Sequence, residues 1–219
     1  MWKSVFLVPV FAFLCIIPTN VWSQQEYDKI TTHFPLVVPN NNPLLIKIVA
    51  NQPVSTDKIN MLKEAIFSTG SYEHDGKLVF IGWEGVLLKA SANHHLFFVP
   101  ENIKITNSSN DISQITIILT TDKNELGYSG LTTFTRTGEM VTNARIVIFQ
   151  VDHLTDEEFG AVVRHEFGHA LGLGHSTLYG DIMYPEVDPT ISQISECDEG
   201  ALEALYDGQV SSSYQESVS

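Results

Sequence analysis

His165-Glu166-Phe167-Gly168-His169-Ala170-Leu171-Gly172-Leu173-Gly174-His175 is the stretch whose reading decides the rest, and its pattern is HExxHxxGxxH. Residues four apart share one face of a helix, so His165 and His169 can aim two imidazoles at one point while Glu166, one step round, stays free to carry protons. Gly172 lets the chain leave the helix in a conformation that a Cβ would resist, and His175 then returns from outside the helix as a third donor. Three neutral imidazoles suit one Zn2+ and leave its fourth tetrahedral position open, which is the catalytic arrangement of that metal and not the structural one.

By chance HExxH alone should occur in roughly one chain in forty of this length, whereas requiring Gly172 and His175 lowers the expectation to on the order of one in ten thousand. That rarity outweighs a helix whose histidines merely pack or cap. With Ser176 after the third histidine and Asp181-Ile182-Met183-Tyr184-Pro185 further on, the pattern resembles the signature of the metzincin zinc proteases and, among them, the matrixin branch. The resemblance implies that Met183, eight positions after His175, is the Met-turn methionine forming an apolar floor under the metal. Astacins and serralysins carry a tyrosine ligand two residues after this methionine. Pro185 stands there in this chain, so Tyr184 is not assigned to the metal. The close match covers residues 165–185, with weaker similarity from about 112 to 206.

The chain has 219 residues, room for one domain with a sizeable core. Residues 1–23 have the pattern of a signal peptide: Lys3, an apolar run of 13 residues from Val5 to Ile17, and Val21-Trp22-Ser23 as the cleavage region. That run is short for a membrane span, so a secreted, extracellular protein without stable membrane insertion is expected. Residues 24–43, with three prolines and asparagines at 40–42, are expected to form an extended leader. The catalytic domain is expected at 44–207, followed by a small, polar, disordered tail at 208–219.

Loss of Lys3 with the signal leaves 11 basic side chains against 26 acidic ones, a formal charge of −15 that disfavours nucleic acid and anionic membranes. The acidic excess and the resemblance allow Ca2+, although no stretch matches an EF-hand loop. Matrixins hold a second, structural zinc in a histidine and aspartate loop. No such spaced set occurs between Ile105 and Val141, and the adjacent His94 and His95 cannot both face one metal, so a single Zn2+ is expected.

Along the chain, Leu44–Ala50 reads as a strand and 56–68 as a helix capped by Ser55 or Thr56. A second helix is expected over 82–92, with Trp83 in the core, then strands at 97–105 and 112–121 flanking the sequon Asn107-Ser108-Ser109. The segments 127–134 and 143–151 read as the last two strands, turning at Thr137 and Gly138. Thr155 and Glu158 form a capping box for a central helix reaching Leu171, and Ser195 with Asp198 caps a final helix to Tyr206. The fold class expected is α+β: a metzincin-like domain with a twisted, mostly parallel sheet and an antiparallel edge strand, packed on long helices, with an active-site helix, a Met-turn and a C-terminal helix.

By the same resemblance, Leu131, Thr132, Thr133 and Phe134 would form the sheet edge along which an extended peptide adds as a strand, and Tyr184 and Pro185 would wall the pocket for the residue after the scissile bond. The expected function is a monomeric zinc endopeptidase with Glu166 as general base. The rival is an exported zinc-binding module that grips peptides without cutting them; retention of Glu166 favours the enzyme, because metal binding alone does not need it. Many vertebrate matrixins are held latent by a propeptide cysteine on the zinc. Here Cys197 is the cysteine that remains after signal removal, it follows the ligands, and it lies on the apolar stripe Ile194, Cys197, Ala201, Leu202, Leu205. Cys197→Ser should therefore leave any latency unchanged; zymogen assays on the variant check this, and activation on loss of the thiol would contradict it.

Overall fold

Alternation of β-branched and apolar residues builds a central sheet, and a computed structural model shows how it is filled; the structure describes residues 30–39, 43–108 and 111–209. The expected signal segment, Asn40–Asn42, Ser109 of the sequon and residues 210–219 of the expected tail lie outside the described residues.

Among the described residues, strands β1 (Ile30–Thr32), β2 (Leu44–Ala50), β3 (Ser71–His74), β4 (Lys77–Phe80), β5 (Ile103–Ile105), β6 (Ile115–Leu119), β7 (Gly130–Thr137), β8 (Met140–Ile148), β9 (Leu173–Ser176) and β10 (Ile194–Ser195) alternate with four helices. The helices are α1 (Thr56–Phe67), α2 (Trp83–Ser91), α3 (Asp156–Leu171) and α4 (Glu196–Tyr206). The main sheet has the order β5-β2-β6-β8-β7, parallel throughout except for the antiparallel edge strand β7. The α+β frame with a mostly parallel sheet and an antiparallel edge is thus the expected one. Among the described residues no helix is long and apolar enough to cross a membrane.

Residues 97–105 and 112–121 are shorter strands than expected, because only 103–105 and 115–119 find partners, both beside β2. Two small antiparallel sheets, β10-β4-β3 and β1-β9, also form. The second ties part of the expected leader to the strand that carries His175. Residues 30–38 are extended and bonded to the rest of the fold: His33 N–H donates to Gly172 O at 2.9 Å, Val37 N–H to Val141 O at 3.0 Å, and Tyr206 Oη donates to Leu36 O at 2.8 Å. Ile30, Leu36 and Val38 are buried. Prolines dilute these apolar residues, so the segment lacks a strand's periodicity while still supplying core.

Helix α3 explains why the site is rigid. Its capping box forms as read, with Thr155 Oγ1 accepting from Glu158 N–H at 3.1 Å and Glu158 Oε2 accepting from Thr155 N–H at 2.7 Å. Lys58 of α1 ties down the same end, donating to Leu154 O and Thr155 O and pairing with Asp156 at 3.1 Å. Phe159, Val163, Phe167 and Leu171 are buried, and Trp83, also fully buried, donates its indole N–H to Arg164 O at 2.8 Å. Burying such side chains stabilises by roughly 1.5–3 kcal/mol each, so the helix is held by packing before any metal is considered.

His95 joins α2 to the end of α4 with a side chain only 4% exposed. Its Nε2 lies 2.8 Å from Ala90 O and its Nδ1 2.9 Å from Asp207 Oδ1. Both partners only accept, so both nitrogens donate and the ring is held as imidazolium. Burial alone would lower its pKa, but the Ala90 carbonyl and the Asp207 carboxylate outweigh it and raise the value above the ordinary 6.5. A raised folded pKa gives stability that is full below the unfolded value and lost as pH rises through the folded one. In chemical unfolding at pH ~5.5 and ~8.5, the stability lost by His95→Gln relative to the wild type should be larger at the lower pH than at the higher.

Candidate metal centre

Helix α3 ends where the third histidine must begin its return. Gly172 caps the helix with φ 109°, and a Cβ there would overlap Phe34 O, so both backbone conformation and close approach require glycine. The chain passes directly into β9, which carries His175. The ligand atoms of His165, His169 and His175 all lie within 4.8 Å of one another, with His165 Nε2 and His169 Nε2 3.0 Å apart.

Ring orientation is fixed from behind. His165 Nδ1 donates to Ile182 O at 2.7 Å and His169 Nδ1 to Leu173 O at 2.8 Å; a carbonyl can only accept, which sets the tautomer and leaves each Nε2 lone pair facing its partners. Burial lowers all three pKa values, that of His165 to about 4, that of His169 well below the usual range, and that of His175 more mildly. The rings are therefore neutral near pH 7, the form that ligates zinc. A neutral, convergent nitrogen set, with two of its rings held from behind by carbonyls, fits a zinc ion.

Met183 is fully buried and packs its sulfur against α3 at Gly168. Its turn is closed by Ser176 N–H donating to Met183 O at 2.8 Å and by Asp181 Oδ1 accepting from Met183 N–H at 2.8 Å.

Glu166 is 6% exposed and lies against β7. Burial raises its pKa to about 7, partly countered by the Thr132 hydroxyl, which is 2.6 Å from Oε2 and 3.0 Å from Glu166 O. Gly130 packs on the same carboxyl, where an added Cβ would come within 2.5 Å of Oε1.

A cavity of about 700 Å3 runs past these groups. Gly130, Leu131, Thr132 and Phe134 line one wall and Pro185, Val187 and Pro189 another. Two expected wall residues lie elsewhere. Thr133 is exposed and does not line the cavity, and Tyr184 packs its ring edge-on against Tyr179 at 5.5 Å. Sequence reading also missed one group and one contact. His33, from the segment taken as a leader, lines the cavity, its pKa lowered by burial and by the nearby His175 and Arg136; nothing local in the sequence marks it. The contact of Thr132 with Glu166 spans 34 residues and arises only when β7 meets α3.

A three-histidine site on the last turns of a buried helix, above a methionine turn and below the edge of a mostly parallel sheet, is the frame of a matrixin-like metzincin. Comparison with known proteins gives the family directly: residues 71–207 match Matrixin, and the chain belongs to that family of zinc metallopeptidases. The chain is also 48% identical over 48 residues to matrix metalloproteinase-18 of Xenopus laevis, a match covering 20% of this chain and 10% of that protein. Family membership implies a catalytic zinc, and the histidine trio could hold it.

One zinc per chain is the expected content, and His169→Ala should abolish it; elemental analysis of both proteins checks this, with two tightly held ions or retention by the variant as the contrary results. Zinc should persist through the ordinary histidine range and be lost on further acidification, because burial delays protonation of the rings. The metal-free fold should also weaken as pH falls below about 6.5, where the unfolded chain takes up protons that the folded rings resist.

Proposed function

We propose that the protein is a secreted endopeptidase in which His165, His169 and His175 hold zinc and Glu166 is the general base. The observation that carries this reading is the convergence of three neutral ring nitrogens beside a buried carboxyl on one peptide-sized cavity. Zinc, when bound, supplies a Lewis acid that acidifies water and polarises a carbonyl.

Glu166 does the proton work. Its pKa of about 7 in the metal-free site matches a group that takes a proton from water and passes it to the leaving amine nitrogen. A neighbouring cation favours the carboxylate, so with zinc bound the acid limb of kcat/KM is expected below pH 7. Strand β7 pairs only with β8 among the described strands, and its free edge beside Glu166 suits an extended peptide bound through backbone hydrogen bonds. Leu154, Val162, Pro185 and Val187 line the cavity with apolar surface, which supports an apolar side chain after the scissile bond. The signal-like residues 1–23 support export.

Glu166→Ala should keep zinc and fold while peptide cleavage falls by about a hundred- to ten-thousand-fold. The check is cleavage of a random peptide library, read by mass spectrometry, beside zinc content on the same preparations. Equal cleavage by both proteins would remove Glu166 from the mechanism; binding without cleavage by both would make the protein a peptide-recognition module.

A further inference from the structure

Glu166 has three rotatable side-chain bonds, and packing of α3 fixes only its backbone. Something must hold the carboxyl. Among the described residues its side-chain hydrogen bond is to Thr132, whose Oγ1 lies 2.6 Å from Oε2 and 3.0 Å from the main-chain oxygen of Glu166 itself. One hydroxyl thus ties the carboxyl to its own backbone. On the other side the Gly130 backbone lies against Cγ and Oε1 with no room for a Cβ. Between them, β7 grips the carboxyl by one hydroxyl donor and one glycine surface.

We propose that Thr132 is the positioning residue for Glu166: its hydroxyl holds Oε2, leaving Oε1 as the oxygen that takes the proton from water and delivers it to the leaving amine. The inference rests on Glu166 being the base, as proposed above. Thr132 touches no reacting atom in this scheme. Its side chain is on the cleft side of β7, as the alternation of half-buried Gly130, Thr132 and Phe134 with exposed Leu131 and Thr133 requires. A strand position of this kind accepts valine as readily as threonine, so strand geometry does not explain the hydroxyl. The hydroxyl has a partner where it stands, and that partner is Glu166.

The two conservative replacements separate positioning from packing. Thr132→Val keeps the shape and strand preference and removes the donor; Thr132→Ser keeps the donor and loses the methyl. A base displaced by about 1 Å costs up to roughly a hundredfold in rate, so Thr132→Val should lower kcat by about tenfold or more with KM and zinc content unchanged. Thr132→Ser should restore most of the rate. A second readout needs no turnover: with 13C-labelled glutamate, the Glu166 carboxyl resonance, identified by its loss in Glu166→Gln, should move in Thr132→Val and stay in Thr132→Ser. Wild-type rate in Thr132→Val, equal damage in both variants, or an unmoved resonance in Thr132→Val would each overturn the proposal. If the wild type cleaves no peptide, the endopeptidase reading fails, and the resonance still decides whether Thr132 holds the carboxyl.

Discussion

The Nδ1–H groups of His165 and His169 are spent on the carbonyls of Ile182 and Leu173, and the orientation of the whole site rests on that pair of bonds. Each carbonyl belongs to a different segment after α3, one to the methionine turn and one to β9. The turn must therefore hold its shape for His165 to hold its angle. Asp181 shapes it from within by accepting the Met183 N–H, and the Ser195 hydroxyl links Asp181 to Asp198, which also caps α4. Burial raises the pKa of both carboxyls, and their mutual repulsion raises that of Asp198 further. Two facing acids in so dry a place favour sharing a proton. Such a proton resides on Asp198, the acid raised further, and gives its Oδ1, otherwise without a partner, something to donate. The acid that caps the last helix thus also supports the turn behind the first histidine.

Burial at the site has two opposite effects. It weakens the charged form of every titratable group there, lowering the histidines and raising Glu166. The same exclusion of water strengthens each remaining electrostatic contact, so a hydroxyl such as that of Thr132 matters more than it would at the surface. Stability is supplied elsewhere, by the apolar face of α3, the paired helix caps and the Lys58 tether. The frame can then carry neutral imidazoles and a buried carboxyl that contribute little to folding.

Features set by local chemistry were legible in the sequence. The spacing of His165, Glu166 and His169, the boxes at Thr155–Glu158 and Ser195–Asp198, and the glycine at 172 all act within a few residues, and each appears as read. What escaped reading is non-local. Strands of two to four residues, such as β9, β10 and β1, carry too few positions to show a period of two and exist only because a distant partner supplies hydrogen bonds. Thr132 resembled any other β-branched strand residue until its contact across the cleft gave the hydroxyl a role. Tyr184 was placed by its neighbours in the motif, whereas Tyr179 decides where its ring goes.

The pairing of β1 with β9 bears most directly on the third histidine. His165 and His169 ride on a helix that packing would hold in any case, but His175 lies on a four-residue strand that follows a left-handed glycine and is itself exposed. Antiparallel pairing with Ile30–Thr32, the Thr31 hydroxyl donating to His175 O at 3.3 Å and the His33–Gly172 bond hold it from one side; the Ser176–Met183 bond holds it from the other. A short strand gripped on both sides has little freedom to turn, and so the backbone that carries the exposed histidine is held in place. Residues 30–36 are far from the motif in sequence, yet in space they are part of the frame that brings the third imidazole to the other two.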